Sequence, residues 1–304
     1  MIFGHDSPYR MEGNRIIYSM LDDDVIESVG EYRRDLERIG SELDISKLPR
    51  NEQLAFWLNL HNVAVIEQIG LAYPISQPRK IRIDGVPMDE ARFITVDGVA
   101  MSPHDIRARI VYPNWRDPRV MYGFFRSDIG GPSLQRYAFT GSNVSFLLES
   151  SASEFVNSLR GVQSRGDALK VSRIYEEVRK FYFPGNYEGL RAHLAQFAED
   201  DVMAAVRRNG RVEADLYEYD IADLSKGERE PAYQITAECE RPLLASEVGN
   251  EIIGPGCSNF RVDLPRLAQR YVTDRREKVR QLARAGKWGN VYVLAGGEAP
   301  EEVE

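Results

Sequence analysis

Residues 50–69 read RNEQLAFWLNLHNVAVIEQI. Apolar side chains fall on nearly every side of a helix drawn through them, which predicts a helix lying in the domain centre rather than on its surface. Asn51 is the expected cap and Gly70 the expected stop. Asn59, His61, Asn62 and Glu67 interrupt the run, so residues 54–72 make a poor membrane span. Asn59 and Asn62 are three apart and share one face, and His61 sits on nearly the opposite face beside Trp57. An unpaired amide in such a helix costs about 1–3 kcal/mol. Both asparagines are therefore expected to hydrogen-bond to loop backbone and hold it in place.

The chain on either side is rich in local signals. Residues 24–40 carry Val25, Val29, Tyr32, Leu36 and Ile39 near helical spacing. RKIRIDG and RFITVDGVAM, within 79–101, read as extended segments with an Asp-Gly turn in each. Ser102, Pro103 and Asp105 mark a helix start. Residues 119–125 read as a strand leading into FFRSDIGGPSL, 124–134, a glycine turn with a helix expected after it. Thr140 is the expected cap for a helix over 141–160. Helices are expected at 168–182 and 187–206, and strands at 211–219 and 233–239. Asp263 with Pro265 opens a long helix closing near Gly286. SKGEREP, 225–231, reads as a linker.

With 304 residues, 43% hydrophobic and 28% charged, the composition is that of an ordinary globular protein. A net charge of −8 argues against general nucleic-acid binding. The N-terminus lacks a signal pattern, so a soluble chain is expected, cytoplasmic or exported after loss of a leader. Cys239 and Cys257 permit one disulfide or two free thiols. His5, His61, His104 and His193 show no metal-ligand spacing, and neither a nucleotide loop nor a G-x-S-x-G elbow occurs. No metal or cofactor is expected.

The 50–69 segment resembles the hallmark helix of the domain-of-unknown-function 547 family, whose pattern is roughly R-x-x-x-L-A-F-W-I-N-x-Y-N-A. SPHDIRARI (102–110), RDPRVMYGFF (116–125), AFTGSNVSFLLESSASEFVNSL (138–159), VSRIYEEVRKFYF (171–183) and YEYDIADL (217–224) resemble later family segments in the same order. Together they extend the resemblance over about 25–225. The family is similar to papain-like thiol enzymes, in which a cysteine attacks and a histidine, oriented by a carboxylate or amide, acts as base. The resemblance implies an α+β fold, a papain-like domain with a buried central helix and a small antiparallel sheet. Residues 1–24 would precede it as an extension, and 226–304 would follow as a small α+β appendage.

The departures bear on function. Laid on the family's N-C-x-x-x-S-C-P-x-L loop, the two cysteines fall on Arg126 and Gly131, and the family's Glu-His pair falls on Arg107 and Ala108. Loss of the nucleophile alone costs a triad-type site roughly 10⁶ in rate. Between 105 and 136 stand six arginines against three aspartates. Guanidinium forks suit carboxylates and phosphates, so Arg107 and Arg126, with the Gly130 and Gly131 amides, are candidates for holding an anion where the thiol lay. The expected function is therefore a catalytically inactive binding or interaction protein, its partner a small anion or another protein. An enzyme with a relocated nucleophile is the alternative, using Cys257 in GPGCSNF, or Ser127 or Ser133 with His104 as base. A purely structural module is the third reading.

Overall fold

The computed structural model describes residues 13–225 except 186 and 209, together with residue 227, strands 233–236 and 261–264, and Gln281 and Arg284. Cys239, Cys257, GPGCSNF and most of SKGEREP and of the expected 263–286 helix lie outside the described residues. The chain divides into two compact units, Met1–Pro231 and Ala232–Glu304. In the second, strand Tyr233–Thr236 pairs antiparallel with Arg261–Leu264. Asp263, read from sequence as a helix cap, sits in that strand opposite Gln234.

The first unit is mixed α and β. Helix α1, Asp23–Glu42, is capped by Asp22, whose carboxylate accepts the Val25 N–H at 2.9 Å. Its buried face is Ile26, Gly30, Leu36 and Gly40, while Val25 and Tyr32 face solvent. A count of apolar residues misses this face because two of its members have no side chain. Their absence is what lets the neighbours in. A Cβ on Gly40 would stand 2.8 Å from both Phe56 and Val96, and one on Gly30 would stand 2.7 Å from the Glu67 carboxylate.

That neighbour is helix α2, Arg50–Ala72, the apolar stretch quoted above. Leu58, Leu60, Ala64 and Ile69 are sealed from solvent; each large aliphatic side chain buried this way contributes about 1.5–3 kcal/mol. Pro49, not Asn51, stands at the cap position. Asn51 lies inside the helix and donates to the Gly141 carbonyl at 3.3 Å. Gly70 does not stop the helix either; it admits Ile26 of α1, 3.1 Å from where its Cβ would stand.

Two tight hairpins follow, β1 (Arg82–Ile83) with β2 (Val86–Pro87) and β3 (Ile94–Val96) with β4 (Val99–Met101). Asp84, Gly85, Asp97 and Gly98 all have positive φ, the conformation that Asp-Gly hairpin turns require. Ser102 and Asp105 then form a reciprocal capping box. The helix they open, α3, runs through Pro103–Asp105, a wide π turn over Ile106–Val111, and Tyr112–Asn114.

Residues 118–123 form a 3-10 helix, not the expected strand. Asp117 caps it by accepting the Arg119 N–H at 2.9 Å, and Val120, Met121 and Tyr122 are buried. No helix follows the glycine turn until α4, Val144–Val156. Thr140 accepts the Asn143 N–H at 3.2 Å, closing a turn just ahead of α4.

The expected helix over 168–182 is a strand and then a helix. β6 (Ala168–Ser172) pairs antiparallel with β5 (Val162–Arg165) and parallel with β7 (Val212–Leu216), giving a mixed three-stranded sheet in place of an antiparallel one. Helices α5 (Ile174–Tyr182), α6 (Glu188–Phe197) and α7 (Asp200–Arg207) make the crossover between the parallel strands. Parallel neighbours require such a connection. Residues 14–21 belong to this unit too. Ile16 bridges Asp223, and Tyr18 is buried beside Ile69, Tyr73 and Ile221.

Gly40→Ala gains up to about 1 kcal/mol of helix propensity but forces Phe56 and Val96 apart, an overpacking that costs about 1–3 kcal/mol. The expected net result is a less stable protein in urea titration. A gain in stability would show that α1 and α2 are not in contact there.

Candidate functional site

Asn62 sits at the centre of α2, and its amide brackets the chain ahead of the 124–134 loop. Its Nδ2 donates to the Gly123 carbonyl at 2.9 Å and its Oδ1 accepts the Phe125 N–H at 2.9 Å. Asn59 does the same one turn earlier, with both bonds to Phe139 at 2.8 and 2.9 Å. The next residue after Phe125 is Arg126, so the bracket sets where that guanidinium starts.

The loop beyond is pinned against residues 217–222. Ile129 and Gly130 donate to the Asp220 and Glu218 carbonyls, each at 2.8 Å, and Asp128 bridges Ile221. Within this extended pairing successive side chains alternate. Ser127 goes one way, into the core against the Tyr18 hydroxyl at 2.9 Å, with φ of 61°. Arg126 and Asp128 go the other way, to line a cavity of about 470 Å³.

Two guanidiniums underlie the cavity, Arg107 buried and Arg126 partly buried in its wall. Arg107, carried by the π turn of α3, is 1% exposed. Its fork holds both Asp89 oxygens at 2.8 and 2.7 Å, and its Nε reaches Glu177 at 3.4 Å. Arg126 holds Glu177 by a second fork, at 2.7 and 2.9 Å. Glu177 lies in the first turn of α5, where the helix dipole also favours its charge. Burial pushes both carboxyls up, but the guanidiniums outweigh it. Asp89 is held well below its usual range, chiefly by Arg107, and Glu177 falls to about 2, chiefly through Arg126 and then Arg107.

His61 completes the floor. Arg107 donates to its Nε2 at 2.9 Å, which leaves the proton on Nδ1, facing the Asn62 oxygen at 3.0 Å. Burial, and secondly the Arg107 charge, drive its pKa down to about 3. It is a neutral spacer with both nitrogens committed. His193 is likewise neutral, its pKa lowered to about 4 by burial, with Nε2 2.8 Å from the Tyr122 hydroxyl.

The structure therefore brings Arg107 and Arg126 together through Glu177, but neither offers a free fork to an anion. Gly130 and Gly131 offer none either, since their N–H groups go to the Glu218 and Asp128 carbonyls. Gly130 is required for closeness: a Cβ would stand 2.4 Å from the Glu218 nitrogen. Ala108, half-buried in the same π turn, brings no polar group. Ser127 is sealed from solvent and left-handed. Ser133 accepts from Arg160 at 2.8 Å and donates to Glu154 at 3.2 Å. His104 is 3.9 Å from Glu90, and among the described residues no serine meets it.

Sequence reasoning did not find Asp89, Glu177 and Tyr217. Glu177 had one usable signal: it stands three residues after Ile174 on the buried face of α5. Asp89 had none. Asp128 was visible in the loop, but not its state. Tyr217 donates to its Oδ2 at 2.9 Å, while Oδ1 is buried with no partner. Burial raises its pKa to about 7, against the opposing pull of Tyr217 and Arg126. Among the described residues no group of His, Cys, Asp or Glu is arranged to hold a metal ion, and no helix is long and apolar enough to cross a membrane.

Residues 45–156 match the family model described as "Protein of unknown function, DUF547". The match runs from the turn before α2 to the end of α4, so it covers Asn59, Asn62, Asp89, Arg107 and Arg126 and stops short of Glu177 and Tyr217. No curated protein and no solved structure matches the chain significantly.

Glu177→Gln leaves Arg126 buried without its carboxylate, and a cost of about 3–5 kcal/mol is expected by chemical denaturation. A loss no larger than that expected of a solvent-exposed ion pair would mean the Arg126–Glu177 pair is not buried in solution. The pH dependence has two opposing parts. Asp89 and Glu177 contribute stability that is complete above the ordinary carboxylate range and is lost as pH falls through their lowered values. Asp128 has a raised value, so its penalty accumulates as pH climbs from about 4 to about 7. Asp128→Asn should therefore be near neutral at about pH 4 and stabilise by about 2–4 kcal/mol at about pH 8. An equal effect at both pH values would contradict the raised value.

Proposed function

We propose that this chain is a catalytically inactive relative of papain-like thiol enzymes that binds a small molecule in the cavity above its former catalytic loop. The observation that carries this reading is the Arg126–Glu177 fork. The position that the family resemblance gives to the nucleophile holds a guanidinium, closed at 2.7 and 2.9 Å onto a carboxylate. A thiol enzyme needs a low-pKa sulfur and a titrating base at hydrogen-bond reach. Here the nearby histidine, His61, is neutral and doubly bonded.

The serine alternative lacks support from the geometry, because Ser127 faces Tyr18 and Ser133 is tied to Arg160 and Glu154. The structural-module reading leaves a cavity of about 470 Å³ without a role, a volume in the range of small-molecule sites, about 300–1,000 Å³. The cavity opens at the carboxyl ends of β6 and β7, between Arg173 and Tyr217. Open α/β sheets commonly place their ligands at that edge.

The test is active-site labelling of the full chain with a fluorophosphonate and, separately, with iodoacetamide, read by peptide mass spectrometry. The expected result is no stoichiometric labelling of any serine and only slow, ordinary alkylation of Cys239 and Cys257. Fast labelling of Ser133 or Cys257 that protein unfolding abolishes would replace this reading with that of a relocated nucleophile.

A further inference from the structure

Which groups of the cavity remain free to meet a ligand follows from a ledger of its charges. Its walls carry Arg79, Arg126 and Arg173 against Asp89, Asp128, Glu176 and Glu177. Asp89 is taken by Arg107, Glu177 by Arg126 and Arg107, and Glu176 by Arg179 at 3.2 Å. Arg79 and Arg173 are left over. Both are exposed, and among the described residues neither forms an ion pair.

These two cations converge on one ring. The Arg79 guanidinium carbon lies 4.1 Å from the centroid of Tyr219, and Arg173 donates to the Tyr219 hydroxyl. Arg79 is steadied further by Gln77, which accepts its Nε–H at 3.1 Å and is itself held by Asp220 at 2.9 Å. From Tyr219 the wall continues to Tyr217, ring centroids 4.7 Å apart, and through the Tyr217 hydroxyl to Asp128. The rest of the lining, Val65, Pro78, Pro87, Met88 and Ile174, is apolar. At the end of the polar wall is the buried, unpartnered Oδ1 of Asp128.

Resting on the reading of this cavity as a binding site, we infer that its ligand is a small amphiphilic carboxylate: Arg79 and Arg173 clamp the acid head, the apolar wall takes its body, and Asp128 Oδ1 bonds a hydroxyl or amide at its far end. Arginine in pairs suits a planar carboxylate because each fork supplies parallel N–H donors. A ligand hydroxyl serves Asp128 in either protonation state, donating to the carboxylate or accepting from the acid. The anion idea drawn from sequence survives in altered form. Its cations are the arginines without an ion pair among the described residues, Arg79 and Arg173, not Arg107 and Arg126, which are committed to carboxylates.

The experiment is isothermal titration calorimetry of the full chain with three probes, para-hydroxyphenylpropionate, its uncharged amide, and phenylpropionate. The hydroxylated acid is expected to bind at least about tenfold tighter than the amide and measurably tighter than phenylpropionate. In the double variant Arg79→Gln/Arg173→Gln, whose side chains are exposed, the preference for acid over amide should fall to about one. Asp128→Ala, which removes both donor and acceptor, should remove the preference for the hydroxylated probe while keeping the preference for the acid. Equal binding of acid and amide by the wild-type chain overturns the clamp and leaves the non-catalytic reading intact. Binding of none of the probes overturns the ligand class. Hydrolysis of the amide to the acid overturns the non-catalytic reading instead, and the clamp is then read from the loss of affinity for both acids in the double variant.

Discussion

Two guanidiniums buried under one cavity need two carboxylates, and most of the first unit is arranged around that requirement. An isolated buried charge costs several kcal/mol even after relaxation, so Arg107 and Arg126 cannot be placed without Asp89 and Glu177 arriving with them. The four come from separate parts of the chain: the turn after β2, the π turn of α3, the loop after Phe125, and the first turn of α5. The lattice therefore ties together segments 88 residues apart at its extremes, from 89 to 177. It adds little net stability over an apolar core of the same shape, but it allows only one arrangement, since removing any member strands a charge.

Helix α2, which backs the lattice through His61 and Asn62, was the most legible part of the sequence. The buried placement of α2, the two Asp-Gly hairpins and the Ser102 capping box all follow from short-range rules, because turn chemistry and caps are decided within a few residues. What misled was periodicity without its context. Gly30 and Gly40 hide the buried face of α1 from any hydrophobic count. Residues 168–172 read as helix because their apolar pattern is short, and their strand character comes from two partners, one of them 40 or more residues away in β7. The 3-10 turn over 118–123 is similarly fixed by the Asn62 bracket, a tertiary bond that no local pattern encodes.

The site divides along the same line. Arg107 and Arg126 were visible as replacements at positions suggested by family resemblance, but their bonding partners were not. A lone arginine in a sequence reads equally as an anion site or half of an ion pair, and the difference lies in the distant Glu177. Charge counting over 105–136 gave an excess of arginine that the fold largely cancels with carboxylates from outside that window. The cavity cations without an ion pair among the described residues, Arg79 and Arg173, lie outside that window.

Three departures from local preference face or support the same cavity. Ser127 holds a left-handed conformation that costs a non-glycine residue about 1–2 kcal/mol. α3 widens into a π turn where Arg107 leaves it, a form found mostly as single turns at functional sites. Asp128 keeps a buried oxygen unpartnered, although an asparagine would remove the charge with almost no change of shape. Each feature alone has a structural excuse. Together they trade stability in one small volume, while the surrounding helices and hairpins obey local preference closely. Strain gathered at a cavity wall is what the proposed binding site would maintain. On that reading, a loop without a ligand would relax, with the buried carboxyl among the first features lost.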